Sequence, residues 1–170
     1  GWWWWWSRYI KILALAPIIV CLGALIWLGF HPFLIQPPAI YHEDSPYQQV
    51  RVRDEKDFRF LVLDNTFHAI MWQPDPDKLA LPYSQMMMAA LALHPKPQRG
   101  LILGHGGGSI AKWLARNWPN FKLDIVEMDP SVVRAAEEYF DYHATRKHHV
   151  HIQDARAFLR KSADRYDIIW

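Results

Sequence analysis

The stretch Leu101-Ile102-Leu103-Gly104-His105-Gly106-Gly107-Gly108-Ser109 restricts the possible fold of this chain more than any other. A short apolar run breaks into glycines and passes directly into a helical pattern at Ile110, Trp113 and Leu114. A buried strand that turns sharply into a helix needs residues without a Cβ, so that the backbone can take positive φ and a ligand can approach its amides. The expectation is a strand, a nucleotide-type cradle and a helix over Ser109 to Asn117. The glycines at Gly104, Gly106 and Gly108 read G-x-G-x-G, whereas the dinucleotide fingerprint wants a third glycine where Ser109 stands. A plain glycine turn stays open as a reading, and an NAD-dependent dehydrogenase is disfavoured.

About twenty residues on, by the spacing of that fingerprint, Phe121 to Val126 reads as a second strand ending in Glu127-Met128-Asp129-Pro130. An acid at the carboxyl end of the second strand of an open α/β sheet meets the ribose hydroxyls of a nucleoside held at the first turn. Glu127 is the candidate. A third strand, Val150 to Gln153, ends in Asp154-Ala155-Arg156 and places Asp154 on the same edge, within reach of an adenine amino group. Helices are expected at Pro130 to Tyr139, with Asp129 as N-cap and Pro130 in the first turn, and at Ala155 to Lys161. A last strand, Tyr166 to Trp170, runs off the end of the chain, which suggests C-terminal truncation. Strands alternating with helices imply a parallel sheet covered on both faces.

Ahead of this lies a different pattern. Val50 and Val52 alternate with Arg51 and Arg53, Phe58, Phe60 and Val62 with Arg59, Leu61 and Leu63, and Asp54 to Asp57 makes a polar turn between them. This is a β-hairpin, extended by a third strand at Phe67 to Trp72. Tyr83 to Leu93 follows as one helix, in which Met86, Met87 and Met88 read as packing.

Bulk properties exclude several classes. A formal charge of +2 with 21% charged residues is no nucleic-acid footprint. The single cysteine, Cys21, rules out an internal disulfide and reads as a small hydrophobe. Of His148, His149 and His151, the last two share a face of a strand, but no third ligand is evident beside them, so no metal is expected. Asp124 is expected at a solvated or helix-facing edge, Asp64 and Asp75 in turns, and Glu137 and Glu138 on a solvated helix face.

The N-terminus divides into a Trp-rich run (1–8), an apolar segment (9–30) and a Pro-containing linker (31–46). Ile12 to Phe30 carries no charge and is long enough for a membrane-spanning helix, with a signal peptide and a buried helix as alternatives. Arg8 and Lys11 favour an N-terminus inside, but a cytoplasmic nucleoside cofactor argues for a cytoplasmic globular part on a single-pass anchor. The remaining divisions are a β layer (47–80) and an incomplete Rossmann-like domain (81–170).

From about Tyr47 to Trp170 the chain resembles the spermidine synthase family. The matching pieces include Ser45-Pro46-Tyr47-Gln48, Leu63-Asp64-Asn65, Tyr83, His94-Pro95-Lys96-Pro97, Val126-Glu127-Met128-Asp129-Pro130, Asp154-Ala155-Arg156 and Tyr166-Asp167-Ile168-Ile169. The resemblance implies an α/β fold with a Rossmann-like, methyltransferase-type parallel sheet after a small antiparallel layer. It implies S-adenosylmethionine or its decarboxylated form as cofactor, with methylthioadenosine as product-like ligand, and a small amine or polyamine as substrate. It further implies that Gln48, Gly104, Gly106, Gly107, Gly108 and Ser109 touch the methionine-like part. Glu127 would hold the ribose with Met128 beside it, Asp154 and Ala155 the adenine, and Tyr83 would close the substrate side. A homodimer is the candidate assembly. The family loop reads Gly-Gly-Gly-Asp-Gly-Gly, whereas Gly107 stands here in place of its Asp and His105 in place of a glycine, as in the Gly-x-Gly-Gly-Gly-Ser branch. The family's catalytic acid follows the strand that begins at Tyr166, so it lies beyond Trp170. Aminopropyl transfer, methyl transfer and a non-catalytic nucleoside-binding module all remain open.

Overall fold

The computed structural model describes residues 20–25 and 38–170, in two compact units, Gly1–Pro37 and Pro38–Trp170. In the first unit, residues 20–25 lie in an exposed helix (α1) that includes Cys21. The rest of the apolar segment 9–30 falls outside the described residues. Among those described, no helix is long and apolar enough to cross a membrane.

The second unit starts with an antiparallel sheet of β1 (Tyr41–Asp44), β2 (Gln49–Glu55), β3 (Phe58–Leu63) and β4 (Thr66–Trp72), in that spatial order. Sequence alternation builds one apolar face: Val50, Val52, Leu61, Leu63, Ala69 and Met71 are buried together against Val132, Ala135 and Phe140. On β3 the inward set is therefore Leu61 and Leu63, while Phe58, Phe60 and Phe67 cluster on the outer side. Between β3 and β4 the register shifts: Leu61 pairs with Ala69 but Val62 with Phe67, which leaves His68 as the extra residue of a bulge.

Within the stretch expected as linker, Tyr41–Asp44 forms β1, paired with Gln49 to Val52. Its Glu43 accepts from Ser131 Oγ at 2.8 Å and pairs with Arg134, so tertiary contacts supply what its polar sequence lacks. The single helix expected at Tyr83 to Leu93 is two, α2 (Pro82–Met87) and α3 (Ala90–Leu93), joined by tight bonds such as Met88 N to Gln85 O at 3.2 Å. Bonds of this i→i+3 type align residues three apart, which turns Met88 and Leu91 into the core together.

The parallel sheet comprises β5 (Arg99–Leu103), β6 (Lys122–Glu127), β7 (His148–Ile152) and β8 (Ile168–Ile169), ordered β7-β6-β5-β8. Between its strands run α4 (Ser109–Asn117), α5 (Pro130–Tyr139) and α6 (Ala155–Lys161), with the boundaries expected from sequence. Asp129 caps α5 by accepting from Ser131 N at 2.9 Å, with Pro130 in the first turn. β7 begins two residues earlier than expected because His148 is buried and pairs with Leu123.

Of the two places expected for Asp124, solvated or helix-facing, it takes the second. It lies on the α6 side of the sheet but is buried, and it accepts from Arg99 at 2.7 and 3.1 Å and meets His151 Nε2 at 2.8 Å. Burial alone would push its carboxyl up, but the hydrogen bonds from His151 and Arg99 outweigh it and hold the group below the usual carboxylate range. Arg99 also forks onto Asp164 at 2.9 Å, which ties down the loop leading into β8. Asp64 sits in a turn with left-handed φ of 53°, and Glu137 and Glu138 are solvated, as expected.

Candidate functional site

Because β5, β6 and β7 are adjacent and parallel, the segments after their last residues share one rim of the sheet. Leu103 pairs with Val126, and Gly104 N donates to Val126 O at 2.8 Å, so the glycine loop starts beside the end of β6. The loop turns into α4 at Gly108, whose φ of 70° is left-handed. No side chain caps α4. Its first-turn residues Ser109, Ile110 and Ala111 line a cavity of about 270 Å³ together with the loop. A helix start of this kind presents amides and the positive end of the helix dipole to whatever the cavity holds.

Gly107 matters for a different reason, close approach. A Cβ there would stand 2.9 Å from the Phe140 ring and 3.0 Å from Ala69 Cβ. β4 and the end of α5 therefore wall the loop from behind.

Glu127 faces the same cavity. Its Oε2 accepts from His105 N at 2.8 Å, and its Oε1 accepts from Met128 N at 2.8 Å and Asp129 N at 3.0 Å. Three amides thus hold the carboxylate in place before any ligand arrives, and of its roughly four lone-pair sites one, on Oε2, remains for a ligand hydroxyl.

His105 is 7% exposed, and its Nε2 has no partner. Its ring lies edge-on to Tyr142 at 4.3 Å between centroids. Burial pushes its pKa down to about 4 and that of Tyr142 up to about 12.

Of the residues singled out in the sequence, Gly104, Gly106, Gly107, Gly108, Ser109, Glu127 and Tyr83 meet at this cavity. Gln48, Met128, Asp154 and Ala155 do not line it. Gln48 Nε2 donates to Asp129 Oδ2 at 3.2 Å, just past the end of β6. Met128 is exposed at the rim. Asp154 follows β7 on the same rim, where its Oδ1 caps α6 by accepting from Ala157 N at 2.8 Å. His151 is engaged by Asp124 while His148 is buried, and no metal-binding group of side chains occurs among the described residues.

Sequence reasoning missed His68, Met87 and Trp170, all of which line the cavity. It also missed the wall formed by Ala69 and Phe140. His68, Ala69, Met87 and Trp170 all lie in segments that the pattern assigned to strands or helices, but which way each faces is not written there, and the bulge that frees His68 is invisible in the alternation.

An antiparallel sheet packed through α5 on a parallel sheet with a glycine-loop rim defines a Rossmann-like α/β protein with an accessory β layer. The chain belongs to the spermine/spermidine synthase family: the profile of the Spermine/spermidine synthase domain matches residues 81–170. It is 38% identical over 160 residues to a polyamine aminopropyltransferase of Vibrio vulnificus, covering 89% of this chain and 54% of that protein. A probable polyamine aminopropyl transferase of Bifidobacterium longum is 33% identical over 130 residues, covering 76% of this chain and 28% of that protein. Among solved structures, the spermidine synthase of Thermotoga maritima aligns at a TM-score of 0.65 with 22% identity, covering 77% of this chain and 46% of that one. The chain thus spans about half the length of the Vibrio protein and of the Thermotoga structure.

Proposed function

We propose that this chain carries the nucleoside-binding half of an aminopropyltransferase of polyamine biosynthesis. The donor is decarboxylated S-adenosylmethionine and the acceptor a small amine or polyamine. In the reaction the amine nitrogen attacks the propyl carbon bound to sulfur. A C–N bond forms, the C–S bond breaks, methylthioadenosine leaves and the nitrogen releases a proton. The observation that carries the reading is the joining of glycine loop and acid across one cavity, with His105 N on Glu127 Oε2 at 2.8 Å. The aminopropyltransferase relatives support the choice of transferred group.

In this reading Glu127 accepts from a ribose hydroxyl, the loop amides and the start of α4 face the sulfur end, Asp154 and Ala155 approach the adenine edge, and Tyr83 borders the acceptor side. Gln48 and Met128 act from behind and beside Glu127. None of this depends on the apolar segment 9–30.

One observation favours a second reading, methyl transfer from S-adenosylmethionine itself. The position where the resembled loop carries an Asp is a glycine closed in by Phe140 and Ala69, so no side chain is there to meet a cationic donor tail. Calorimetry on the chain with decarboxylated S-adenosylmethionine, S-adenosylmethionine and methylthioadenosine separates the cases. The first reading expects the decarboxylated donor to bind tightest. Tighter binding of S-adenosylmethionine turns the assignment to a methyltransferase, and no binding of any of the three removes both.

Glu127→Ala is expected to weaken methylthioadenosine about 10-fold or more, the scale of lost hydrogen bonds to a charged group. Glu127→Gln should lose affinity as well, because its NH2 replaces one carboxylate oxygen and cannot accept from the backbone N–H it then faces, either His105 N or the pair Met128 N and Asp129 N. Wild-type affinity in both variants would take the ribose role from Glu127.

A further inference from the structure

Lys112 is an ammonium with 5% exposure in the middle of α4. A buried charge is costly, and an apolar side chain of similar size would fill the space at lower cost. What distinguishes Lys112 is its set of partners. Nζ donates to Phe140 O, to Pro76 O at 2.8 Å, and lies 3.4 Å from Met71 Sδ. Those three atoms belong to the end of α5, the turn after β4, and β4 itself. The backbone N of Lys112 donates to Gly108 O at 2.9 Å, the first bond of the helix that the glycine loop enters.

Two of the three segments gripped by the ammonium wall the loop. Phe140 puts its ring against Gly107. Ala69, two residues before Met71 on the same buried face, closes the other side. The spacing behind Gly107 has no slack for a methyl group, so a shift of a few tenths of an ångström in either wall reaches the loop amides.

We propose that Lys112 is a positioning residue: by holding Phe140, the turn at Pro76 and β4 to α4, it sets the width of the glycine loop. The inference deepens the nucleoside-binding reading, on which its ligand arm rests, but the loop geometry can be tested without ligand. The multivalent donor head is what matters, because it serves two carbonyls from different segments at once.

The test compares Lys112→Met, Lys112→Arg and wild type by amide hydrogen exchange without ligand, thermal melting, and methylthioadenosine affinity. In Lys112→Met the hydrogen-bonded loop amides of Gly104, His105 and Gly108 should exchange about 10-fold faster or more, while Ile125 and Val126 in β6 keep their protection. Methylthioadenosine affinity should fall about 10-fold in parallel, and Lys112→Arg should recover most of both effects. Unchanged loop exchange in Lys112→Met overturns the proposal. So does acceleration of loop and β6 together, which would mark a purely structural lysine. Should Lys112→Met fail to fold, Lys112→Gln, whose shorter side chain cannot reach both Pro76 O and Phe140 O, takes its place, and unchanged exchange of the loop amides in it would overturn the proposal. Failure of wild type to bind methylthioadenosine would sink the nucleoside reading, while the exchange data would still judge Lys112.

Discussion

Gly108→Ala should destabilise the chain by about 3 kcal/mol, the sum of left-handed backbone strain and overpacking, and should abolish methylthioadenosine binding. At φ 70° any side chain is strained, and here the added Cβ would also lie 2.9 Å from Tyr142 Cδ2 and 3.1 Å from Tyr142 Cβ. Tyr142 is 1% exposed and has no room to retreat. Gly104 provides the control. Its φ is 97°, yet a Cβ there meets nothing within 4 Å, so Gly104→Ala should show the strain without the collision. Denaturant melts of the two variants check the difference. Equal stabilities would mean that the Tyr142 contact is not what holds the loop.

Acidification should unfold the chain by way of His105. Burial lowers its pKa from 6.5 to about 4, so between those values the unfolded chain binds a proton that the folded chain refuses. Stability therefore rises with pH in this window. Its share is fully present above pH 6.5 and is lost as pH falls towards 4, to the extent of about 3 kcal/mol. Buried His148 is shifted in the same direction and adds to the effect. His105→Phe keeps an aromatic edge against Tyr142 and removes the titration, so its stability should be flatter from pH 7 to 4. A variant as acid-sensitive as wild type would place the effect elsewhere.

The features that could be read from sequence were those whose cause is local. α4, α5 and α6 begin and end where expected because a glycine turn, the Asp129-Pro130 pair and Asp154 mark their starts within a residue or two. The strand ends carrying Gly104, Glu127 and Asp154 were legible for the same reason, since spacing along the chain becomes a shared rim once the sheet is parallel. What escaped depends on distant partners. β1 is polar and forms because β2 pairs with it and α5 receives its Glu43. Asp124 looks like a surface residue until Arg99, 25 positions earlier, and His151, 27 later, are brought to it. Lys112 sits among apolar neighbours with no local sign of the carbonyls it serves, and Phe140 gives no hint that it abuts Gly107.

The carboxylate of Asp129, wholly enclosed, caps α5 with one oxygen and with the other receives Ser45 Oγ at 2.6 Å and Gln48 Nε2 at 3.2 Å from the turn between β1 and β2. Two sheets are thereby stitched at the base of the candidate ribose acid. A minimal fragment cut at the start of β5 would bare this anion and the underside of α5 at once. Nor could the leading sheet be exchanged for a cousin's by recombination unless the 45–48 turn came with it: the two layers are inherited as one piece.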